Sequence, residues 1–268
     1  MSGSRDRALR EIWRGSDEAA LFKPAGLSSE RPAAESSSRG SGAAQASAAA
    51  QASPSAHISG SADSFIVRAR SQLGWPDAQL PHRLDRPTSG ILMVAGTRAR
   101  VADHAEEQRR GLWTKWYVAR LPARGHGGRP ASGLLGPHRA YIRRRGRLAE
   151  CVRSGGDPAF LEILAVEPAT DRSDESHALI RLDTGRFHQI RAMLAHAGFP
   201  LAGDADYGAR SDPSRFELVA AGLAIDRPAG RIALEVLDCC KGLSPRIEAR
   251  LREALTEARP TDEPPDRR

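Results

Sequence analysis

The sequence predicts an α+β domain built on a largely antiparallel sheet. Three observations carry that expectation. Several apolar runs have strand length, among them Gly90-Ile91-Leu92-Met93-Val94-Ala95 and Trp116-Tyr117-Val118-Ala119. One segment repeats its apolar residues at helical spacing: Phe187, Ile190, Leu194 and Ala197. Strands and helices also mix without the strict alternation that marks a parallel βαβ sheet.

Taken in order, Ala19-Ala20-Leu21-Phe22 reads as a strand that stops at the turn Lys23-Pro24-Ala25-Gly26. Residues 29–62 are almost all Ser, Ala, Gly, Gln and charge, with AAQAS at 43–47 and again at 49–53. Such a stretch cannot bury enough surface to offset its ordering entropy, so it is expected to be disordered and looped out of the domain. Ser64 to Leu73 reads as a helix. Gly90–Ala95, a continuous apolar run, reads as a strand buried on both faces. Thr97 is placed as the N-cap of a helix that runs to about Arg110 and stops at Gly111. Trp116–Ala119 is the next strand. Residues 122–157, rich in Gly and Arg, receive no assignment. Phe160–Ala165, Ala178–Leu182 and Ile232–Leu237 are further strand candidates. The clearest helix follows Thr184-Gly185 and ends at Gly198, with Pro200 just beyond. The expected division is an N-terminal extension (1–17), one catalytic domain (18–240, interrupted by 29–62) and a C-terminal helix and tail (241–268), partly disordered.

Among 268 residues the net charge is +7, carried mostly by Arg, since Lys occurs only at 23, 115 and 241. A basic balance suits an anionic partner, usually nucleic acid, and equally suits a solvated surface with a coding bias towards Arg. The three cysteines, Cys151 and the adjacent Cys239 and Cys240, show no metal-binding spacing and imply no disulfide framework. The first twenty residues lack the apolar stretch of a secretion signal, and no run approaches the length of a membrane span. A cytoplasmic monomer is the expectation.

Two clusters carry chemistry. In His82-Arg83-Leu84-Asp85-Arg86-Pro87-Thr88-Ser89-Gly90, one Asp lies between two arginines just before a buried strand. Flanking cations favour its ionised form, which can serve as nucleophile or base. A salt-bridged surface loop accounts for the same residues. The second cluster runs from Asp183 to Gly208. On a helix, Arg191 lies about 40° from Phe187, so it borders the apolar face, half buried and in need of an acidic partner.

Together the clusters resemble the RluA-type pseudouridine synthase family. His82, Arg83, Leu84, Asp85, Thr88, Ser89 and Gly90 match its HRLDxxTSG signature. Gly185, Arg186, His188, Gln189, Ile190 and Arg191, then Gly203, Asp204, Tyr207 and Gly208, match GRxHQIR followed by GDxxYG. Lys115-x-Tyr117-x-Ala119 and Lys23-Pro24-Ala25-Gly26-Leu27 complete four matches in the family's order, spanning roughly residues 18–237.

The resemblance implies the pseudouridine synthase fold, a mainly antiparallel mixed sheet with a central RNA-binding cleft and flanking helices. It implies isomerisation of uridine in ribosomal or transfer RNA, with no cofactor and no metal. Attack on the ribose and removal of a ribose proton both fit. Asp85 matches the nucleophile, Tyr117 the tyrosine that stacks on the target base, and Arg191 the partner of the aspartate. Arg83 matches the side chain that fills the RNA stack once the base has flipped out. Arg86, Lys23, Lys115, Arg186 and His188 are placed with it as RNA contacts, and Leu84, Ile190 and Leu218 as pocket residues. Three positions depart from the pattern: Pro87 for an acidic residue, Phe187 for a small Thr or Ser, and Val219 for a His.

Rival readings are weaker. His104-Ala105-Glu106 fits the H-x-E of zinc deaminases, but no PCxxC follows and His104 is expected on a solvated helix face. A glycoside hydrolase needs paired carboxylates, and only Asp85 stands out. An RNA-binding or chaperone protein that keeps the fold without the chemistry is the serious alternative. All RNA readings expect affinity to fall steeply with salt. In filter binding, each phosphate contacted should contribute a slope of about −0.9 in log K against log salt. A flat response would count against RNA as the substrate.

Overall fold

The computed structural model describes residues 8–30, 63–209 and 212–257. Its centre is one ten-stranded mixed sheet. The strands are β1 (Glu11–Arg14), β2 (Glu18–Lys23), β3 (Ser89–Ala95), β4 (Trp113–Pro122), β5 (Gly136–Arg145), β6 (Leu148–Val152), β7 (Asp157–Pro168), β8 (Glu175–Leu182), β9 (Leu218–Arg227) and β10 (Gly230–Glu235). Their spatial order is β1-β2-β3-β9-β4-β8-β7-β5-β6, with β10 paired to the far half of β9. Every pairing is antiparallel except β3 with β9. The α+β expectation holds, and so does its antiparallel bias.

Four helices flank the sheet: α1 (Phe65–Leu73), α2 (Arg98–Arg109), α3 (Gln189–His196) and α4 (Pro245–Thr256). The local signals explain their ends. Gly74 takes the left-handed conformation that closes α1 (φ 71°). The Thr97 hydroxyl accepts from Arg100 N–H at the head of α2, and Ser244 caps α4 in the same manner before Pro245. One core lies on the face covered by α1 and α3 and includes Leu21, Phe65, Leu92, Tyr117, Ile180 and Ile190. The opposite face packs Met93, Trp116, Leu223 and the α4 residues Ile247 and Leu251.

The unassigned stretch 122–157 contains the hairpin β5–β6, whose outward positions are mostly arginine, so its alternation lacks the apolar half that would reveal it. Strand β9 also had no assignment, although its first eight residues are all buried and it lies between β3 and β4. Residues 31–62 and 258–268 of the two stretches expected to be disordered lie outside the described residues. The flanks of the first are tied together, because Phe65 N–H donates to Ser28 O at 2.8 Å and Ile66 N–H to Ser29 O at 3.2 Å.

One expectation fails on α2. His104 is fully buried, not solvated. Its ring nitrogens lie 3.2 Å from Glu18 and 3.1 Å from Glu107. Arg227 bridges the same two carboxylates, and the Trp113 indole N–H donates to Glu107 at 3.0 Å. This ionic cluster, not an apolar stripe, fastens α2 to β2 and β9. Burial pushes the Glu18 carboxyl up, but hydrogen bonds from Arg227 and His104 outweigh it and hold it at about 2, against an ordinary 4.5. A depressed carboxyl contributes stability that is present above its unfolded value and lost as pH falls through the folded one. Urea unfolding midpoints should therefore drop between pH 4.5 and 2, and Glu18→Gln should flatten that drop.

Candidate active site

Asp85 sits on the loop between α1 and β3, and the chain immediately after β2 clamps that loop. Lys23, the last residue of β2, is wholly buried. Its ammonium donates to the carbonyls of Thr88 (2.6 Å), Pro24 (3.1 Å) and Arg86 (3.2 Å). Gly26 N–H also donates to Arg86 O at 2.8 Å. On the other side of Asp85, the Ser29 hydroxyl donates to Leu84 O (2.6 Å) and accepts from Leu84 N–H (3.2 Å). His82 Nε2 accepts the Met93 N–H at 3.0 Å, and burial pushes this imidazole down to about 3, which keeps it neutral. The loop is thus held by both its neighbours in sequence and by the start of the chain.

Gly90 completes the placement. Its φ is +118°, and a Cβ there would meet Ala220 O at 2.4 Å. Only glycine lets β3 approach β9 this closely, at the one place where the two pair. Ala220 pairs on its other side with Tyr117 of β4. Tyr117 therefore stands beside the Asp85 loop, 7% exposed and in the same core as Leu84, Ile190 and Leu218. Burial, and then the Asp85 carboxylate, push its hydroxyl above its ordinary range, so it stays protonated.

The second half of the site comes from α3. Its helix begins at Gln189, later than the sequence suggests. The Gln189 side chain accepts from Arg186 N–H and from the Thr184 hydroxyl, and it donates to Phe160 O on β7. That bracing leaves Phe187 outside the helix, so the angle drawn from it to Arg191 does not apply. Arg191 is 3% exposed, not half buried. It makes a two-pronged contact with Asp204 (2.8 and 2.7 Å), reaches Asp206 at 3.1 Å, and stops 3.9 Å from Asp85. Burial works against its charge, but the hydrogen bonds to Asp204 keep it protonated.

His188 heads α3 in the left-handed conformation (φ 52°, ψ 27°), the one non-glycine with positive φ among the described residues. Such backbone costs roughly 1–2 kcal/mol. Contacts offset it. Phe187 stacks on the imidazole at 3.8 Å, worth about 0.5–1.5 kcal/mol. Nδ1 meets the Tyr207 hydroxyl at 3.0 Å, and Nε2 lies 3.8 Å from Asp85. Burial lowers the His188 pKa, with the Asp85 carboxylate opposing.

The structure thus brings Asp85, Tyr117, Arg191, His188, Lys23 and the three pocket residues together. It also corrects their electrostatics. Arg83 turns away to Glu30 (3.2 Å), and Arg86 donates to Gly26 O (2.9 Å), so neither flanking arginine pairs with Asp85. Burial raises the Asp85 carboxyl above its ordinary value, while His188, Arg191 and Lys23 pull it back down. Lys23 is buried as a loop clamp and cannot touch RNA directly, a correction to its expected role. Arg186 is exposed and donates to Pro158 O at 3.0 Å, away from Asp85. Lys115 is half buried, on the Tyr117 face of β4, with its ammonium beside Gly185. No carboxylate reaches it among the described residues, and burial lowers its pKa. Asp204, Asp206, Tyr207 and Ser29 carry the site without having been singled out. Asp204 and Tyr207 lay inside a quoted motif. A buried Arg needs an acid, and that was the signal for Asp204.

Residues 19–196 match the family described as RNA pseudouridylate synthase. The dual-specificity RNA pseudouridine synthase RluA of Escherichia coli K12 is 35% identical over 167 residues, 61% of this chain and 74% of that protein. The ribosomal large subunit pseudouridine synthase D of Nitrosomonas europaea is 35% identical over 145 residues, 54% of this chain and 40% of that protein. Among solved structures, human RNA Pseudouridylate Synthase Domain Containing 1 shares the fold with TM-score 0.61 and 20% identity, covering 95% of this chain and 97% of that one.

The contrast between the two lysines is testable by urea denaturation. Lys23→Met strands buried carbonyls and should destabilise the fold by about 1–3 kcal/mol. Lys115→Met removes a desolvated charge that no carboxylate among the described residues reaches and should be neutral or stabilising.

Proposed function

This chain belongs to the RNA pseudouridylate synthase family, and from that premise we propose that Asp85 is the nucleophile with which it isomerises uridine in RNA to pseudouridine. The observation that carries the reading is the placement of one half-buried carboxylate beside Tyr117, with Lys23, Arg191 and the His188 imidazole as the groups that favour its ionised form. A carboxylate in this setting is poorly hydrated and held in place, which suits it for reaction with a ribose.

The isomerisation breaks the bond from ribose C1′ to N1, turns the uracil and rejoins it through C5, with the C5 hydrogen leaving as a proton and N1 taking one up. Nothing is oxidised overall and no group is gained. Tyr117 supplies the wall on which the uracil stacks, and its hydroxyl remains a hydrogen-bond donor. Arg191 acts mainly through its Asp204 pair, as a fixed positive wall 3.9 Å from Asp85. Leu84, Ile190 and Leu218 line the apolar side. Arg83 is exposed, and its single ion pair to Glu30 lies on the surface, where such a pair is worth little. It is therefore available to enter the RNA stack when the target uridine leaves it. Arg86, Lys115, Arg186 and His188 are the remaining candidate contacts.

The catalytic unit of this reading is residues 18–240, with α4 packed against its sheet. Ribosomal and transfer RNA are the proposed substrate classes. The names of the two bacterial relatives support ribosomal RNA for one of them and dual specificity for the other.

The test uses tritium release from RNA transcripts labelled at uridine C5, both ribosomal and transfer, with RNA affinity measured in parallel. Wild type should release tritium, and Asp85→Ala should release none above background while binding the same RNA within a few fold. Undiminished release by Asp85→Ala would remove Asp85 from the chemistry.

A further inference from the structure

The left-handed turn at His188 brings two consecutive rings face to face. Extended backbone sends neighbouring side chains to opposite faces, and helical backbone turns them about 100° apart. Here Phe187 and His188 stack at 3.8 Å and 18° between planes. The outer face of Phe187 is covered in turn by the Arg144 guanidinium from β5, 4.6 Å from the ring centre. Arg144 is itself steadied by Gly146 O, to which its Nε donates at 2.9 Å.

The imidazole is held at its edges as well. Its Nδ1 meets the Tyr207 hydroxyl, which already accepts Ala149 N–H from β6 at 2.9 Å. Having filled one lone pair, that hydroxyl has its own proton to give to Nδ1. With Nδ1 accepting, the neutral ring's N–H is Nε2–H, the nitrogen 3.8 Å from the Asp85 carboxylate, and Arg191 Nη1 stands 3.3 Å from both ring nitrogens. Tyr207 and Arg191 meet the ring's nitrogens, and the stack on Phe187 fixes the plane of the ring.

We infer that Arg144, Phe187 and His188 form a positioning device that holds Nε2–H of His188 towards Asp85. Phe187 and Arg144 act through His188, and His188 acts through Asp85. This rests on Asp85 being the reacting carboxylate and reassigns His188 from RNA contact to support of that carboxylate. The device is coupled to its charged surroundings. His188 is faced by Asp85 from the loop before β3, Arg191 from α3, Asp206 and Tyr207 from the turn after it, and Arg144 from β5. Asp85 is faced in addition by Lys23 and Asp204.

Two measurements test the device. The first is single-turnover tritium release against pH on the RNA that wild type modifies, with RNA affinity alongside. Phe187→Leu should slow the chemical step on the order of tenfold, move the acid limb of its pH profile, and leave affinity within about twofold. Phe187→Tyr should restore both rate and profile. Loss of affinity with an unchanged rate and profile would overturn the proposal and make Phe187 an RNA contact. The second needs no substrate. In the free protein, the His188 imidazole followed by NMR should titrate below the ordinary histidine range and move up in Phe187→Leu, where water reaches the ring. Coincident titrations in the two proteins would overturn the proposal. If wild type releases no tritium from any RNA, the proposed function falls, and the titration alone decides whether the stack holds the imidazole.

Discussion

A buried ammonium organises the site. Lys23 sits at the end of β2 with no exposed surface and gives its protons to three carbonyls, two of them in the turn that follows Asp85. Burial pushes its pKa down to about 8, and the Asp85 carboxylate pulls it back up. The same charge therefore does two things. It fixes the loop's path through hydrogen bonds and offers the carboxylate a cation that water does not screen. Replacing it by any group without three donors would leave those carbonyls to find water they cannot easily reach.

The rest of the site is arranged against that fixed loop. It is drawn from opposite halves of the chain, because Lys23, Ser29 and Asp85 come early, whereas His188, Arg191 and Asp204 come after β8. The halves meet where β3 pairs with β9, a contact only two residues long that depends on Gly90 having no side chain. Beyond it, Arg191 is anchored by Asp204, so its charge does not depend on the carboxylate it faces. Two buried cations with their own partners thus surround an Asp85 whose nearest side-chain nitrogens, on His188 and Arg191, stand at 3.8 and 3.9 Å, outside hydrogen-bond reach. Among the described residues no side chain fills the acceptor positions of that carboxylate, which suits the reacting role proposed for it.

Much of this was legible in the chain. The strand runs, the cap at Thr97, the stop at Gly198 and the signature around Asp85 rest on local chemistry, which sequence records directly. What escaped depends on tertiary partners. The arginines beside Asp85 in sequence point elsewhere in space, so adjacency misjudged the sign of its pKa shift. His104 belongs to a polar helix whose buried contact is ionic, and hydrophobic periodicity cannot report that. Arg191 looked half buried because the helix was extended back to Phe187, whereas the Gln189 side chain starts it later. Strand β9 carries small residues such as Ala220, Ala221 and Gly222, which made it a weak strand by composition despite its central position. Ser29 fell at the head of the low-complexity stretch, and nothing in composition separates this serine, which holds Leu84, from the others in it.

The hydrogen bonds from Phe65 and Ile66 to Ser28 and Ser29 have a consequence for how this chain tolerates change in length. They bring the two ends of the intervening segment together independently of what that segment contains. Joining ends already held side by side costs loop entropy that grows only logarithmically, about 0.6 kcal/mol for each doubling. Ser29, the residue that touches the Asp85 loop at Leu84, lies on the structural side of that junction. The cost of changing the length between these flanks is therefore small, and the contact of Ser29 with Leu84 does not pass through the segment that changes.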